Sequence, residues 1–518
     1  MTSLYRYLNA FVASGLFLLS VAGRVLAQPA DSSSGTEELQ SSQALRALNN
    51  PADNLYSQSL SCSGCHSGQG DFPPDVFDRA CLKEYDTWQD TDQHADAFAS
   101  LTSDRGVQIA QLLRKNVLDT DTGCIQCHSV ASHLPEEIYD QSARETLISG
   151  GVGCEACHGP SSKWLSEHWQ RPPLVSWESR SLKEKTDRGW IDVRSPVTRA
   201  ELCASCHIGS AEEGRIITHE MFAAGHPPLT GFELESFADA MPRHWRYAQE
   251  KSNGANQPFQ RTRNLLTAAV VGMRMAVELA AADAAAPQPA ARWPGFARLD
   301  CFACHHELES PGDRPLGHLS RPGRPALAVG CLPLVRFAAR LAGGSQAEEE
   351  LNTLVRQLQA PFESNPFGDP AELAQQNEAV GEWCRSIEER LAPLDITPQQ
   401  ASVVLRQIAE QAADHHRDYD TARQLLGAWV IVYGELQAAG ELPLQDTDRR
   451  RIDDLLGTIA NEYPQMARRE ALTVACGTPP PQKGNYNRSL AQHYKNRVEY
   501  DPARFKDMMA QLEHLLPK

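Results

Sequence analysis

The chain has 518 residues, roughly two to four domains' worth, and its 66 acidic against 49 basic side chains give a formal charge of −17 and a pI near 5.5. That balance argues against nucleic acid as a partner, because phosphate backbones are held by clustered Lys and Arg. Fourteen cysteines are many for one chain, and their spacing carries most of its chemical information.

Arg6 makes a basic start, Phe11 to Val21 an apolar run and Val25-Leu26-Ala27 a small-residue cleavage site, so residues 1–27 read as a secretory signal peptide. The apolar run is shorter than the roughly 20 residues a membrane span needs. Cleavage after Ala27 removes Arg6 and Arg24 and takes the charge from −17 to −19. The protein is therefore expected in the periplasm or otherwise exported, where thiols meet oxidants. Residues 28–55 are rich in Ser, Gln, Asn and Asp and read as a mobile lead-in.

From residue 56 the cysteines fall into a pattern. Cys62, Cys65 and His66; Cys124, Cys127 and His128; Cys154, Cys157 and His158; Cys203, Cys206 and His207; and Cys301, Cys304 and His305 form five Cys-x-x-Cys-His segments. Random placement would give roughly 0.01 such matches in a chain of this composition. Zinc ribbons pair their Cys-x-x-Cys units at about 15–20 residues and need no His after each. Here the intervals are irregular and the His never fails. Two cysteines one helical turn apart can join their sulfurs to the two vinyl groups of one porphyrin, with the adjacent His beneath the iron. The expectation is five covalently attached haem c groups on those ten cysteines, with the five motif histidines as proximal ligands.

Distal ligands have to come from elsewhere. Eight further histidines lie in the haem region: His94, His133, His168, His219, His226, His244, His306 and His318. Thr91 can cap a helix on which His94, Phe98 and Leu101 share a face. Trp164 and His168 are likewise four apart, and Pro172-Pro173 ends that segment. His94 and His168 are the foremost distal candidates, followed by His219, His226 and His244 around the Gly225-His226-Pro227-Pro228 turn. His306 follows its proximal neighbour directly, so it would serve a different iron. His133, five residues past His128, serves another iron or none. His415, His416, His493 and His514 read as surface residues.

The longest apolar run, Leu265 to Ala282, carries Arg274 and Glu278, an i, i+4 pair near its middle. Two central charges favour a packed helix over a membrane span, so no transmembrane segment is expected in the mature chain. Ala286-Pro287-Gln288-Pro289-Ala290 is a linker to the fifth motif. The pentahaem domain is placed at 56–325 and a helical C-terminal domain at 326–518. In the latter, Leu351, Leu354, Val355 and Leu358 make one apolar stripe, and Ile452, Leu455, Leu456 and Ile459 another. Thr397-Pro398-Gln399-Gln400 has the form of a capped helix start. Of the four cysteines left over, Cys81, Cys331, Cys384 and Cys476, three disulfide pairings are possible. Cys384 lies on the apolar face of Val380, Trp383, Ile387 and Leu391.

Trp88-Gln89-Asp90-Thr91-Asp92-Gln93-His94-Ala95, Gly151-Val152-Gly153-Cys154-Glu155-Ala156-Cys157-His158-Gly159-Pro160 and Cys203-Ala204-Ser205-Cys206-His207 resemble the cytochrome c-554 family of multihaem electron carriers, over about residues 60–210. The resemblance implies a mainly α fold with stacked haems and little regular sheet. It implies periplasmic tetrahaem proteins that take electrons from hydroxylamine oxidation. By motif it gives His168 to the Cys62/Cys65 haem and His94 to the Cys154/Cys157 haem, and leaves the second haem, at Cys124 to His128, five-coordinate. Two departures stand out. Glu178 to Leu202 holds no His to serve the Cys203/Cys206 haem, which must draw on His219, His226 or His244. The fifth motif and the C-terminal domain also lie outside the tetrahaem pattern.

The leading functional reading is an exported pentahaem cytochrome c moving electrons between redox protein partners. The alternative is an enzyme acting on a small nitrogen or sulfur compound at one five-coordinate haem, which requires an open iron. The negative charge favours a basic redox partner whose approach slows as salt rises.

Overall fold

The computed structural model describes residues 54–517 apart from 69–80, 119–122, 131–133, 135–137, 171–172, 230, 247–257, 287–292, 306–320, 322, 416–417 and 463–498. The signal peptide, the lead-in up to residue 53, most of the 286–290 linker, His133, His306, His318, His416, His493 and Cys476 lie outside the described residues. The fold is mainly α. Among the described residues the only sheet-like pairings are isolated bridges, Ser210 with Arg215, Leu299 with Leu327 and Arg321 with Arg324.

Short helices carry the first four motifs: α1 (Leu60–His66), then α2 (Glu84–Thr91) without a motif, α3 (Cys124–His128), α4 (Cys154–His158) and α5 (Pro196–His207). One helical turn puts both cysteines and the His on one face, as two thioethers and an axial ligand demand. α5 is longest because Ser195 caps it, accepting from Thr198 N, and Pro196 is pre-set for its first turn. The fifth motif sits instead on a 3-10 turn, Cys301–Ala303.

The helix carrying His94 is capped differently from expectation. Thr91 still belongs to α2, its hydroxyl donating to the Thr87 carbonyl, and Asp92 is the cap, accepting from His94 N at 3.0 Å. A carboxylate outranks Thr as a cap. The 3-10 turn Gln93–Asp96 then leads into a helix at Ala97–Thr102.

α6 (Gln260–Ala285) contains the long apolar run and packs most extensively on α8 (Pro370–Leu391), with α5 and α7 (Leu332–Gln359) also against it. By length and composition it could cross a membrane, and 72% of its most apolar window is buried against protein. Arg274 of α6 is buried. Its guanidinium donates to Glu388 of α8 at 2.8 Å, to Glu201 of α5 and to Glu278 at 3.4 Å, so the expected i, i+4 pair is one arm of a four-residue ionic cluster.

α7, interrupted at Gly344, and α8 are followed by α9 (Pro398–His415), α10 (Tyr419–Ala438), α11 (Asp446–Glu462) and α12 (Pro502–Leu515). The anticipated start of α9 is present: Gln400 N donates to Thr397 Oγ1 at 3.3 Å and Thr397 N to Gln400 Oε1 at 2.9 Å. One continuous apolar core runs from Phe259 to Leu516 and includes Leu351, Val355, Leu358, Val380, Cys384, Ile387, Leu391, Ile452, Leu456 and Ile459, the buried members of the stripes read in the sequence. Fully burying a large apolar side chain such as Trp429 or Phe505 stabilises by about 1.5–3 kcal/mol. Cys81 is disulfide-bonded, whereas Cys331 and Cys384 are unoxidised and buried.

Candidate haem centre

Local packing explains the residues around the third motif. Glu155 is buried between the two motif cysteines and accepts from the backbone N–H of Ser57 at 2.9 Å, Gln58 at 3.0 Å and Ser161 at 2.8 Å. It thereby ties the third motif to the segment of chain entering the first. Gly159 has a φ of 83°, and a Cβ there would lie 1.9 Å from the Gly189 carbonyl oxygen. Gly151, at φ 67°, would bring a Cβ within 2.9 Å of the His94 carbonyl, and Val152 N donates to that carbonyl at 3.0 Å. Side chains at these two positions would both strain the backbone and clash. At the near edge of the haem region Asn54 is buried and donates to the Arg188 carbonyl at 2.8 Å.

Three of the five motif histidines have a second histidine beside them. The ring centroids of His66 and His168 are 6.4 Å apart with planes 14° from parallel, and those of His219 and His305 are 6.2 Å apart at 21°. His94 and His207 are 6.3 Å apart with planes at 88°. His226 lies close enough to His128, and His244 to His158, for each pair to feel the other's charge. Two imidazoles on one metal have centroids roughly 6.3 Å apart, from a bond of about 2.0 Å on each side and about 1.1 Å from nitrogen to centroid. The three measured pairs have that spacing, so the donor sets fit haem iron. Among the described residues no group of three or more His, Cys, Asp or Glu is gathered as a protein-only metal site would need.

The second ring nitrogen is tied down in most of these residues. His66 Nδ1 meets Glu84 Oε2 at 2.9 Å and His94 Nδ1 meets Asp92 Oδ1 at 2.9 Å. His128 Nδ1 donates to the Ala97 carbonyl at 2.8 Å, His168 Nδ1 to Leu165 at 2.7 Å and His226 Nδ1 to Pro227 at 2.7 Å. His244 has only the Pro242 carbonyl at 3.4 Å, and the buried Nδ1 of His158 has no acceptor among the described residues. An Nδ1–H held by oxygen fixes the tautomer and presents Nε2 to a metal. Burial pushes His158 and His207 down to about 4 and lowers His128 and His226, so these rings stay neutral, the form that binds metal. The Glu84 hydrogen bond raises His66. For His94 burial acts downward, but the Asp92 hydrogen bond and charge outweigh it and the net shift is upward.

Contacts between thiols give the order of the motifs in space. Cys62 lies near Cys154, Cys127 near Cys206, and Cys157 near Cys203. The first four motifs therefore run first, third, fourth, second. His207 and Cys301 line one cavity of about 190 Å³, which joins the fourth motif to the fifth. Arg215 bridges the second and fourth motifs, donating to the Gln126 carbonyl at 2.9 Å and to the Ser205 hydroxyl.

His168 stands beside His66, as the resemblance implied. For His94 the neighbour is His207, where the resemblance pointed to the Cys154/Cys157 haem. The Arg274 cluster and the α5–α6 packing bring the fourth motif up against it. The ring beside His207 is thus His94, and His219 lies against His305, while His226 and His244 are within reach of the charge of His128 and His158. Sequence reading missed Glu84 and Asp92. Asp92, two residues before His94, offered a faint signal; Glu84 offered none.

A family model described as "Cytochrome c554 and c-prime" matches residues 61–159. Cytochrome c-554 of Nitrosomonas europaea is 26% identical over 160 residues, which cover 30% of this chain and 59% of that protein. No solved structure matches. Over residues 61–159, which hold the Gly-Val-Gly-Cys-Glu-x-Cys-His-Gly-Pro segment, the resemblance read in the sequence is borne out: this part of the chain is similar to the cytochrome c-554 family, and the match spans less than two thirds of that relative's length.

Proposed function

We propose that the chain is an exported pentahaem c-type cytochrome that carries electrons between redox protein partners, with His66/His168, His128/His226, His158/His244, His207/His94 and His305/His219 as the five axial pairs. The observation that carries the reading is the pairing itself: three of the five motif histidines, His66, His207 and His305, have a second histidine with ring centroids 6.2–6.4 Å away. Haem iron held in this way supplies one-electron exchange. The paired imidazoles would hold the iron from both sides, and the chain's own residues would then keep substrates and water off it. The motif cysteines, in the order first, third, fourth, second, hold the groups side by side, and the cavity between His207 and Cys301 continues the series to the fifth. The disulfide at Cys81 supports an oxidising compartment.

The test is haem content and spin state of the purified protein. Mass and absorbance after denaturing extraction should account for five covalent haems per chain. Magnetic spectra should show only low-spin iron, unchanged by nitric oxide under oxidising conditions. Three haems or fewer would sink the pentahaem reading. One high-spin centre that binds nitric oxide, nitrite or hydroxylamine would turn the protein into the enzyme of the alternative reading.

A further inference from the structure

The five histidine pairs differ in what holds their outer nitrogens. His66 and His94 point Nδ1 at carboxylates, Glu84 and Asp92, each at 2.9 Å. His128, His168 and His226 point theirs at backbone carbonyls, and for His158 and His244 there is no acceptor and a 3.4 Å carbonyl respectively. A carboxylate accepting the Nδ1–H draws the proton toward itself and makes the imidazole a stronger donor to metal, which favours the oxidised iron. A carbonyl does this weakly, and a missing acceptor not at all.

Resting on the axial pairing proposed above, we propose that Glu84 and Asp92 are positioning residues that set the Cys62/Cys65 and Cys203/Cys206 haems lower in potential than the Cys154/Cys157 and Cys124/Cys127 haems beside them. The arrangement has a consequence for direction. The Cys62/Cys65 motif lies next to the Cys154/Cys157 motif, and the Cys203/Cys206 motif next to the Cys124/Cys127 motif. Each such pair joins one carboxylate-backed haem to one without a carboxylate. Within each pair the electron runs downhill, away from Glu84 in one and away from Asp92 in the other. Each carboxylate accepts from the ring of one axial histidine, so its main effect falls on one iron.

Ring geometry makes the two centres separately visible. Near-parallel planes at His66/His168 and perpendicular planes at His94/His207 split the iron d orbitals differently, giving a rhombic spectrum for the first and a broad, highly anisotropic one for the second. Glu84→Gln and Asp92→Asn keep the shape and an acceptor oxygen while removing the charge, and Asn retains the cap on the 3-10 turn. Redox titration of the intact holoprotein, followed by low-temperature magnetic resonance, reads each haem. Glu84→Gln should raise the midpoint of the rhombic His66/His168 centre by a tenfold or greater shift in its oxidised-to-reduced ratio, about 59 mV for one electron. Asp92→Asn should do the same for the anisotropic centre, with the rhombic one moving less. Glu84→Asp and Asp92→Glu should recover part of the shift. Midpoints that stay put in variants whose spectra remain low-spin would overturn the tuning role. Conversion of the targeted iron to high-spin would also overturn it, since the carboxylate would then only hold the ring in place. A high-spin centre already present in the parent protein would instead refute the axial pairing.

Discussion

Between Leu60 and His207 the helices that carry cysteine pairs are five to twelve residues long, whereas the principal helices from Gln260 onward run from 14 to 28. The buried apolar side chains divide in the same way. The later region holds one cluster reaching from Phe259 to Leu516, and the earlier has two small ones, around Val130 and Leu147 and around Ala200 and Phe232. A short helix cannot bury enough surface to offset its ordering entropy unless something apolar lies against it. In the later region that something is another helix. In the earlier one it is the group the cysteines hold, and the comparison teaches that haem attachment there is also core formation.

The largest effect should come from withholding the haems. A full-length chain made without haem attachment should lose ordered structure over residues 54–245 and keep the helices from Gln260 to Leu515. Limited proteolysis should cut throughout the first part and leave a protected fragment beginning near Phe259, with most of the far-ultraviolet helix signal retained. Equal protection of both parts would break the comparison. α5 is the margin: its Ala200 and Ala204 pack with Ala268 and Val271 of α6, so protection should fade across it.

Next in size is the ionic cluster that joins the two regions. Arg274 lies between Glu201 of α5 and Glu388 of α8, and burial raises Glu388 despite that neighbour. Replacing Arg274 with Met leaves the buried carboxylate of Glu388 and the partly buried one of Glu201 without their cation, which costs about 3–5 kcal/mol. Chemical denaturation of the holoprotein should show that loss. A change below about 1 kcal/mol would mean that the cluster acts as a surface pair does.

Much of this was legible in the sequence because it is local. Five motifs, a capping box at Thr397 and the stripe through Cys384 each lie within one or two helical turns. His168 stands beside His66, the neighbour that its motif implies. His207 stands beside His94 with no local pattern to announce it, because the two lie about 110 residues apart in the chain. Glu84 was invisible for the same reason: it lies 18 residues from His66 with no periodic relation to it. The cap at Asp92 was misread as Thr91 because two adjacent cap-forming residues differ only in where the preceding helix stops.

A smaller effect should appear as pH dependence in the later region. Burial, then the neighbouring Asp420 charge, pushes Asp418 up from 3.8 to about 6. A carboxyl with a raised folded pKa binds its proton more tightly in the native state, so between about pH 4 and 6 stability falls as pH rises. Asp418→Asn keeps an acceptor for Thr421 N, which Asp418 now receives at 3.0 Å, and removes the charge. Denaturation midpoints of the variant should fall less steeply than the parent's across that window, the remaining slope coming from other raised carboxyls such as Glu388, and a slope equal to the parent's would assign the dependence to those groups.

The smallest effect sharpens the comparison by asking whether the regions are energetically separate. Thr397 Oγ1 accepts from Gln400 N at the start of α9, a helix with no residue in the haem centre. Thr397→Ala removes this cap and should cost about 1 kcal/mol. If the later region is a core in its own right, that loss should be the same in the holoprotein and in the chain lacking haem, because the cap and its surroundings do not change between them. Redox titration adds a second constraint: all five midpoints should coincide with those of the parent, since no axial histidine or its oxygen acceptor lies on α9. A cap mutation that costs more in the holoprotein, or that moves any midpoint, would show that strain at α9 reaches the axial ligands, through the α5, α6 and α8 contacts around Arg274.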